Sequence, residues 1–218
     1  MFRTSLAVAG VLGLLAGSAT AGIGFYSFGT GAPNAPLVTN FSGDSVGDQP
    51  TTAAPGFSWA SGGTATILDT TSGLGAEPAT APGVYGAGNY LSVEGGTTET
   101  LDVSNPDITE IFVYIGSLDP GNSIFFAGPN VTYTGVQMGV VSGADNGNQG
   151  AAGTNGVFEF SFYSPITSVT FTTPQNSFEI ASISAGVPEP AAWALMLVGV
   201  GGIGAAMRSR RRQAAATA

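Results

Sequence analysis

The residues in this chain that could do chemistry are almost all oxygen donors. There is no His and no Cys, so Ser-His-Asp and Cys-His nucleophile arrangements and zinc sites of the usual type cannot be built. What remains is carboxylates. Glu94, Glu99, Glu159 and Glu179 are the types that could form a pair for glycoside hydrolysis, which needs one acid and one base or nucleophile. Yet Glu159 and Glu179 fall where an alternating strand would put its solvent side, and no pair is marked by spacing. Asp44 with Asp48, Asp102 with Asp107 and Glu110, and Asp145 with Asn146 and Asn148 are oxygen clusters of the kind calcium takes, although none has EF-hand spacing. Asp119 and Asn122 lie in an expected hairpin turn, where a calcium or sugar contact competes with an Asx turn in which Asp119 caps local N–H groups. The calcium candidates are therefore Asp119, Asn122, Asp102 and Asp107, and no other cofactor is expected. Trp59, Tyr85, Tyr90 and Tyr133 could stack sugar rings, against the plainer role of filling a core. Thr64–Thr66 and Thr170–Thr172 are two Thr-x-Thr pairs, a pattern that can order water against ice, but no repeat extends them. Asn40 and Asn130 open formal glycosylation sequons.

Charge narrows the choice. The five basic residues are Arg3, Arg208, Arg210, Arg211 and Arg212, and thirteen of the fourteen carboxylates lie between residues 22 and 186. That body carries a formal charge of −13 and no cation. Nucleic acid and anionic lipid surfaces are excluded as partners, because both need cationic contacts. No carboxylate in the body can form a salt bridge within it, so each must be solvated, hydrogen-bonded, protonated or metal-bound. Without cysteine there are no disulfides, so packing or bound ions must hold the fold together. The balance favours a structural or binding role over an enzyme.

The elements that position these residues read as strands. Ile111, Val113 and Ile115 alternate with Phe112 and Tyr114, so both faces are apolar, as in a central strand. Phe158, Phe160 and Phe162 share one face. Val169 and Phe171 alternate with Ser168, Thr170 and Thr172. Phe178 and Ile180 begin in phase while Ile183 is out of phase, which predicts a bulge. Further strands are expected at 23–28, 37–42, 57–60, 64–68, 90–93, 98–103, 123–127 and 131–134. Turn residues such as Ser72-Gly73 and Asp119-Pro120-Gly121-Asn122 separate them. Residues 69–89 and 142–156 are expected to be long polar loops, the second of them mobile. Helical periodicity is nearly absent. The expected fold is all-β, a single β-sandwich or jelly-roll-like domain over residues 22–186, flanked by two helical segments.

The flanks are the most specific features. At the start, Arg3, an apolar stretch from Leu6 to Ala16, and Ala19-Thr20-Ala21 form the three parts of a signal peptide, with cleavage expected after Ala21. At the end, Pro188-Glu189-Pro190 precedes an apolar run from Ala191 to Met207 and then Arg208-Ser209-Arg210-Arg211-Arg212. The apolar run is 17 residues, about 25 Å as a helix, slightly short of a hydrocarbon core of about 30 Å. The arginines hold the C-terminus in the cytoplasm and leave the body on the far side. The prolines keep the strip before the helix extended.

Residues 187–212, with Pro188, Glu189, Pro190, Trp193 and Ala194, resemble the PEP-CTERM sorting signal of diderm bacteria, a tail also catalogued as an ice-binding-protein C-terminal-type domain. Leu195 is a mild departure, standing where close relatives often carry Met. The resemblance implies an exported protein that passes the secretion translocon and is held for a time in the inner membrane. An exosortase-type protease then cuts near Pro188–Pro190, and the body reaches the cell surface or the biofilm matrix. Residues 213–218 complete the tail. Tyr90-Leu91-Ser92-Val93, Thr100-Leu101-Asp102-Val103 and Tyr114-Ile115-Gly116-Ser117-Leu118-Asp119 resemble a β-sandwich module of exosortase-dependent surface proteins, with Ile115 where that module carries Trp. The resemblance implies a structural or adhesive role linked to exopolysaccharide. The alternatives are a carbohydrate-binding module, in the calcium-dependent case with the candidates above, and then a glycosidase or an ice-binding protein.

Overall fold

The computed structural model describes residues 24–29, 31–60, 62–79, 88–151, 153–175 and 177–186. The expected signal peptide with Ala19 and Ala21, Tyr85, and the tail from residue 187 onward lie outside them.

Among the described residues, twelve strands and one short helix follow in order. They are β1 (Gly24–Gly29), β2 (Leu37–Thr39), β3 (Phe57–Trp59), β4 (Thr66–Leu68), β5 (Tyr90–Val93), β6 (Thr97–Val103), β7 (Glu110–Gly116), β8 (Ser123–Ala127), β9 (Val131–Thr134), α1 (Gly135–Ser142), β10 (Gly156–Phe162), β11 (Ser168–Thr173) and β12 (Phe178–Gly186). They form two antiparallel sheets. The larger has the order β1-β10-β7-β12-β5-β4, with β2 pairing the second half of β12 on the same side as β5. The smaller has the order β3-β6-β11-β8-β9.

Alternation decides which residues face inward. Along β11, Val169, Phe171 and Thr173 are buried while Ser168, Thr170 and Thr172 are half-exposed. Phe158, Phe160 and Phe162 of β10 point to the same side and are buried. Inward side chains of both sheets join in one hydrophobic core, with Phe126 at 4.9 Å from both Phe160 and Phe162 between ring centroids. Central β7, between β10 and β12, buries Val113, Tyr114 and Ile115 in succession. The bulge expected in β12 is present as a register shift between Ile180 and Ser182, which brings Ile180 and Ile183 both into the core.

Two expectations need correction. Residues 117–122 do not make a hairpin, because β7 belongs to the larger sheet and β8 to the smaller, so this turn carries the chain between sheets. And α1 was not expected. It starts in a capping box in which Thr134 and Gln137 bond each other's backbone N–H, and it ends at Gly143 in a left-handed conformation with φ 92°. Gly135 has to be glycine, since a Cβ there would run into the Asp119 carbonyl oxygen.

Candidate functional site: a carboxyl-lined cleft and a hydroxylated sheet face

A cleft of about 630 Å³ opens on the outer side of the larger sheet. Its floor is set by register. Ser27 of β1 lies opposite Glu159 of β10, Glu159 opposite Phe112 of β7, and Ser161 opposite Glu110. Residues 31–36 supply a wall through Pro33 and Pro36. The Ser161 hydroxyl lies 3.0 Å from Glu110 Oε1 and 3.3 Å from Glu159 Oε1, and the Ser27 hydroxyl donates to Glu159 Oε2 at 3.1 Å. A hydroxyl has one proton, so Ser161 cannot donate to both carboxylates at once. A proton on one carboxyl would satisfy the second contact. Burial pushes the Glu110 carboxyl up from its ordinary value; Ser161 opposes that, and the neighbouring Glu159 charge adds to it.

Of the four glutamates whose type would suit a hydrolytic pair, Glu159 is paired, but with Glu110. The two share a hydroxyl rather than flank an open gap. Glu94 accepts from the Thr66 hydroxyl at 3.2 Å, at the β4–β5 end. Glu99 and Glu179 are not on a solvent face: each is 2% exposed. Glu179 lies under residues 72–79, and Glu99 points to the core side of β6. Glu110→Gln relieves a like-charge contact worth about 0.2–1 kcal/mol. It should raise the thermal midpoint at pH 8 by about 1–3 °C. A fall in midpoint in differential scanning calorimetry would show that the charged form is needed.

The calcium candidates are spread out. Asp102 is exposed on the outer side of the smaller sheet, Asp107 is exposed in the β6–β7 turn, and Glu110 sits in the cleft of the larger sheet. At the crossing turn the capping is the reverse of that expected. Asn122 is fully buried, its Oδ1 accepts the Asp119 N–H at 2.7 Å, and its amide donates to Thr173 Oγ1 at 3.3 Å. Burial, and then the charge of Asp145, raise the Asp119 carboxyl above its ordinary value. Asp44 is buried, and its Oδ1 accepts from Thr51 N (2.9 Å), Thr51 Oγ1 (2.8 Å) and Thr52 N (2.8 Å). Asn146 and Asn148 make local turns, accepting from Asn148 N and Gly150 N. Among the described residues, no three acidic side chains gather where they could hold a metal ion.

Of the rings weighed as a sugar platform, the three within the described residues follow the plainer role of packing. Tyr90 and Tyr133 are buried, and Trp59 packs on Phe41 at 5.9 Å with its Nε1 donating to the Thr52 carbonyl. Half-exposed rings on the outer sheet faces are Phe112 of β7, in the cleft, and Phe125 of β8, on the smaller sheet.

Phe125 belongs to a pattern that single-strand reading does not reveal. On the outer side of the smaller sheet, register aligns Thr98 with Thr172 and Ser123, and Ser123 with Thr134. The next row is Thr100, Thr170, Phe125 and Thr132. The third is Ser58, Asp102, Ser168 and Ala127. All of these are half-exposed or exposed. The outer side of the larger sheet differs, because residues 72–79 roof it and bury Ser92 and Glu179.

Residues 186–212 match the family model of the PEP-CTERM protein-sorting motif. That span contains Pro188, Glu189, Pro190, Trp193, Ala194 and the arginines from Arg208 to Arg212. No curated protein and no solved structure matches the chain. Among the described residues no helix is long and apolar enough to cross a membrane. The motif marks this chain as an exported protein, anchored in a membrane before an exosortase protease processes it.

Proposed function

We propose that the chain delivers a structural or adhesive β-sandwich, residues 22–186, to the cell surface or extracellular matrix, and that it is a substrate of its processing protease rather than an enzyme. The observation that carries this reading is the matched tail, residues 186–212, on a mostly β body without a cationic side chain. A signal peptide with cleavage after Ala21 starts export. The apolar run 191–207 halts in the inner membrane, with Arg208, Arg210, Arg211 and Arg212 held on the cytoplasmic side by the positive-inside rule. Pro188 and Pro190 flank Glu189 within the matched motif, where the protease is proposed to act. Hydrolysis there separates the anionic body from the positive charge of the tail.

Co-expression with a matching exosortase tests this. Glu189→Ala should leave the unprocessed, membrane-bound form as the main species on immunoblots, whereas the parent chain is cut and exposed. Equal processing of both would refute the role given to Pro188-Glu189-Pro190.

A further inference from the structure

We propose that the outer face of the smaller sheet is a contact surface for an uncharged polysaccharide. The inference rests on the surface role proposed above and names what the body adheres to. A solvent-facing sheet usually spreads charged side chains over its surface. Here thirteen carboxylates are available to the body, yet Asp102 is the one charge among the aligned outward positions of β6, β11 and β8. The rest are mainly hydroxyls in register. Neighbouring strands are about 4.8 Å apart, and outward residues of one strand about 6.8 Å apart. Four strands therefore present a patch about 14 Å wide.

Chemistry and charge choose the occupant. Each Ser or Thr hydroxyl both donates and accepts, as sugar hydroxyls do, so two such surfaces can pair without ions. Thr100 and Thr170 already show this, with their hydroxyls 2.9 Å apart across the strand pair. Threonine methyls give the C–H faces of a sugar an apolar contact. Phe125, between Thr170 and Thr132, supplies a ring for stacking. An acidic polymer would meet a body of charge −13 with no cation to receive it. The fit is to a neutral, hydroxyl-rich chain. A patch of this size binds weakly at one point and gains strength from repeated contacts along a polymer.

The test uses the full chain, purified in mild detergent, with insoluble cellulose and cross-linked dextran as neutral probes and alginate as the acidic one. Retention on at least one neutral probe is expected, little changed between low and high salt, with none on alginate at high salt, where the Arg208–Arg212 cluster no longer holds an acidic polymer. The variant Thr98→Val/Thr100→Val/Thr170→Val/Thr172→Val keeps shape and strand preference but removes four hydroxyls. It should lose about tenfold in retention, which corresponds to about 1.4 kcal/mol, with unchanged circular dichroism. Thr132→Glu, at one exposed position, gives the same reading if the multiple variant fails to fold. Retention unaffected by the variants, retention on alginate alone, self-association through this face, or shaping of ice crystals without polymer binding would each overturn the proposal. Exosortase processing is read separately, so lost binding with normal processing would sink this inference and leave the sorting role standing.

Discussion

The thermal midpoint of this protein should rise as pH falls from 8 towards 5. Most proteins gain nothing comparable, because salt-bridged carboxylates have lowered pKa values and are needed ionised. Here the body has no partner cation, and the resolved carboxyl shifts of Glu99, Glu110, Asp119 and Glu179 all go upward, with burial as the largest cause in each. A carboxyl whose folded-state pKa is raised stabilises the fold fully below its unfolded pKa, about 4.3 for Glu and 3.9 for Asp. That contribution is lost as pH rises through the folded value. Glu99 shows why the charged form is disfavoured. Its Oε1 accepts the Thr100 N–H at 3.2 Å, while its Oε2 is buried without a hydrogen-bond partner and lies against Gly63. Protonation removes that buried charge. Glu99→Gln should therefore raise the midpoint at pH 8 and flatten the pH profile, and added salt should raise the midpoint more at pH 8 than at pH 5. Calorimetry across this range checks all three. A midpoint that is flat, or that falls as pH drops, would contradict the account.

Much of the fold is legible in the chain because strand periodicity is local. Each of the twelve strands coincides with an apolar or alternating stretch, and even the bulge in β12 is foretold by the phase of Ile183. The helix is less visible, since Gly135, Val136, Gly139, Val140 and Val141 are poor helix formers. The signal that could have found it is Thr134-x-x-Gln137, a capping box. What no local pattern supplies is which strands become neighbours. Glu110 and Glu159 are far apart in sequence and meet because β7 pairs with β10. Thr98-x-Thr100, Thr132-x-Thr134 and Thr170-x-Thr172 look like ordinary strand sequence until β6, β11, β8 and β9 place them on one face. The 142–156 loop, expected to be mobile, is pinned in the same non-local way. Thr154 and Asn155 are buried, and Asn155 Oδ1 accepts the N–H groups of Ser117 at 3.1 Å and Ala79 at 3.3 Å.

Glu179 gives the largest single-residue effect expected. Its position in an alternating strand suggests solvent, but residues 72–79 fold over the larger sheet and seal it. The roof is fastened at three points on adjacent strands. Ser92 Oγ of β5 donates to the Leu74 carbonyl at 2.6 Å, Glu179 Oε1 of β12 accepts the Ala76 N–H at 2.9 Å, and the Tyr114 hydroxyl of β7 donates to the Ala79 carbonyl at 2.5 Å. Small residues let it approach, since a Cβ on Gly116 would come within 2.8 Å of Pro78. Glu179 also accepts from the hydroxyls of Ser117, at 2.8 Å, and Ser177. Ser117 stands in a left-handed conformation with φ 42°, and Asn155 Oδ1 holds its N–H at 3.1 Å. Glu179 thus joins the roof to the turn that carries the chain between sheets. Glu179→Ala would leave three donors without their acceptor in a buried site, at about 1–3 kcal/mol for each that water cannot reach. A loss of about 10 °C or more in thermal midpoint is expected, with faster hydrogen exchange at the Ala76 amide and earlier proteolysis within residues 72–79. Glu179→Gln keeps one acceptor oxygen and carries no charge, so it should lose less than half as much. Equal losses for the two variants would mean that shape, not hydrogen bonding, fastens the roof. An unchanged Ala76 exchange rate in Glu179→Ala would show that the roof is held elsewhere.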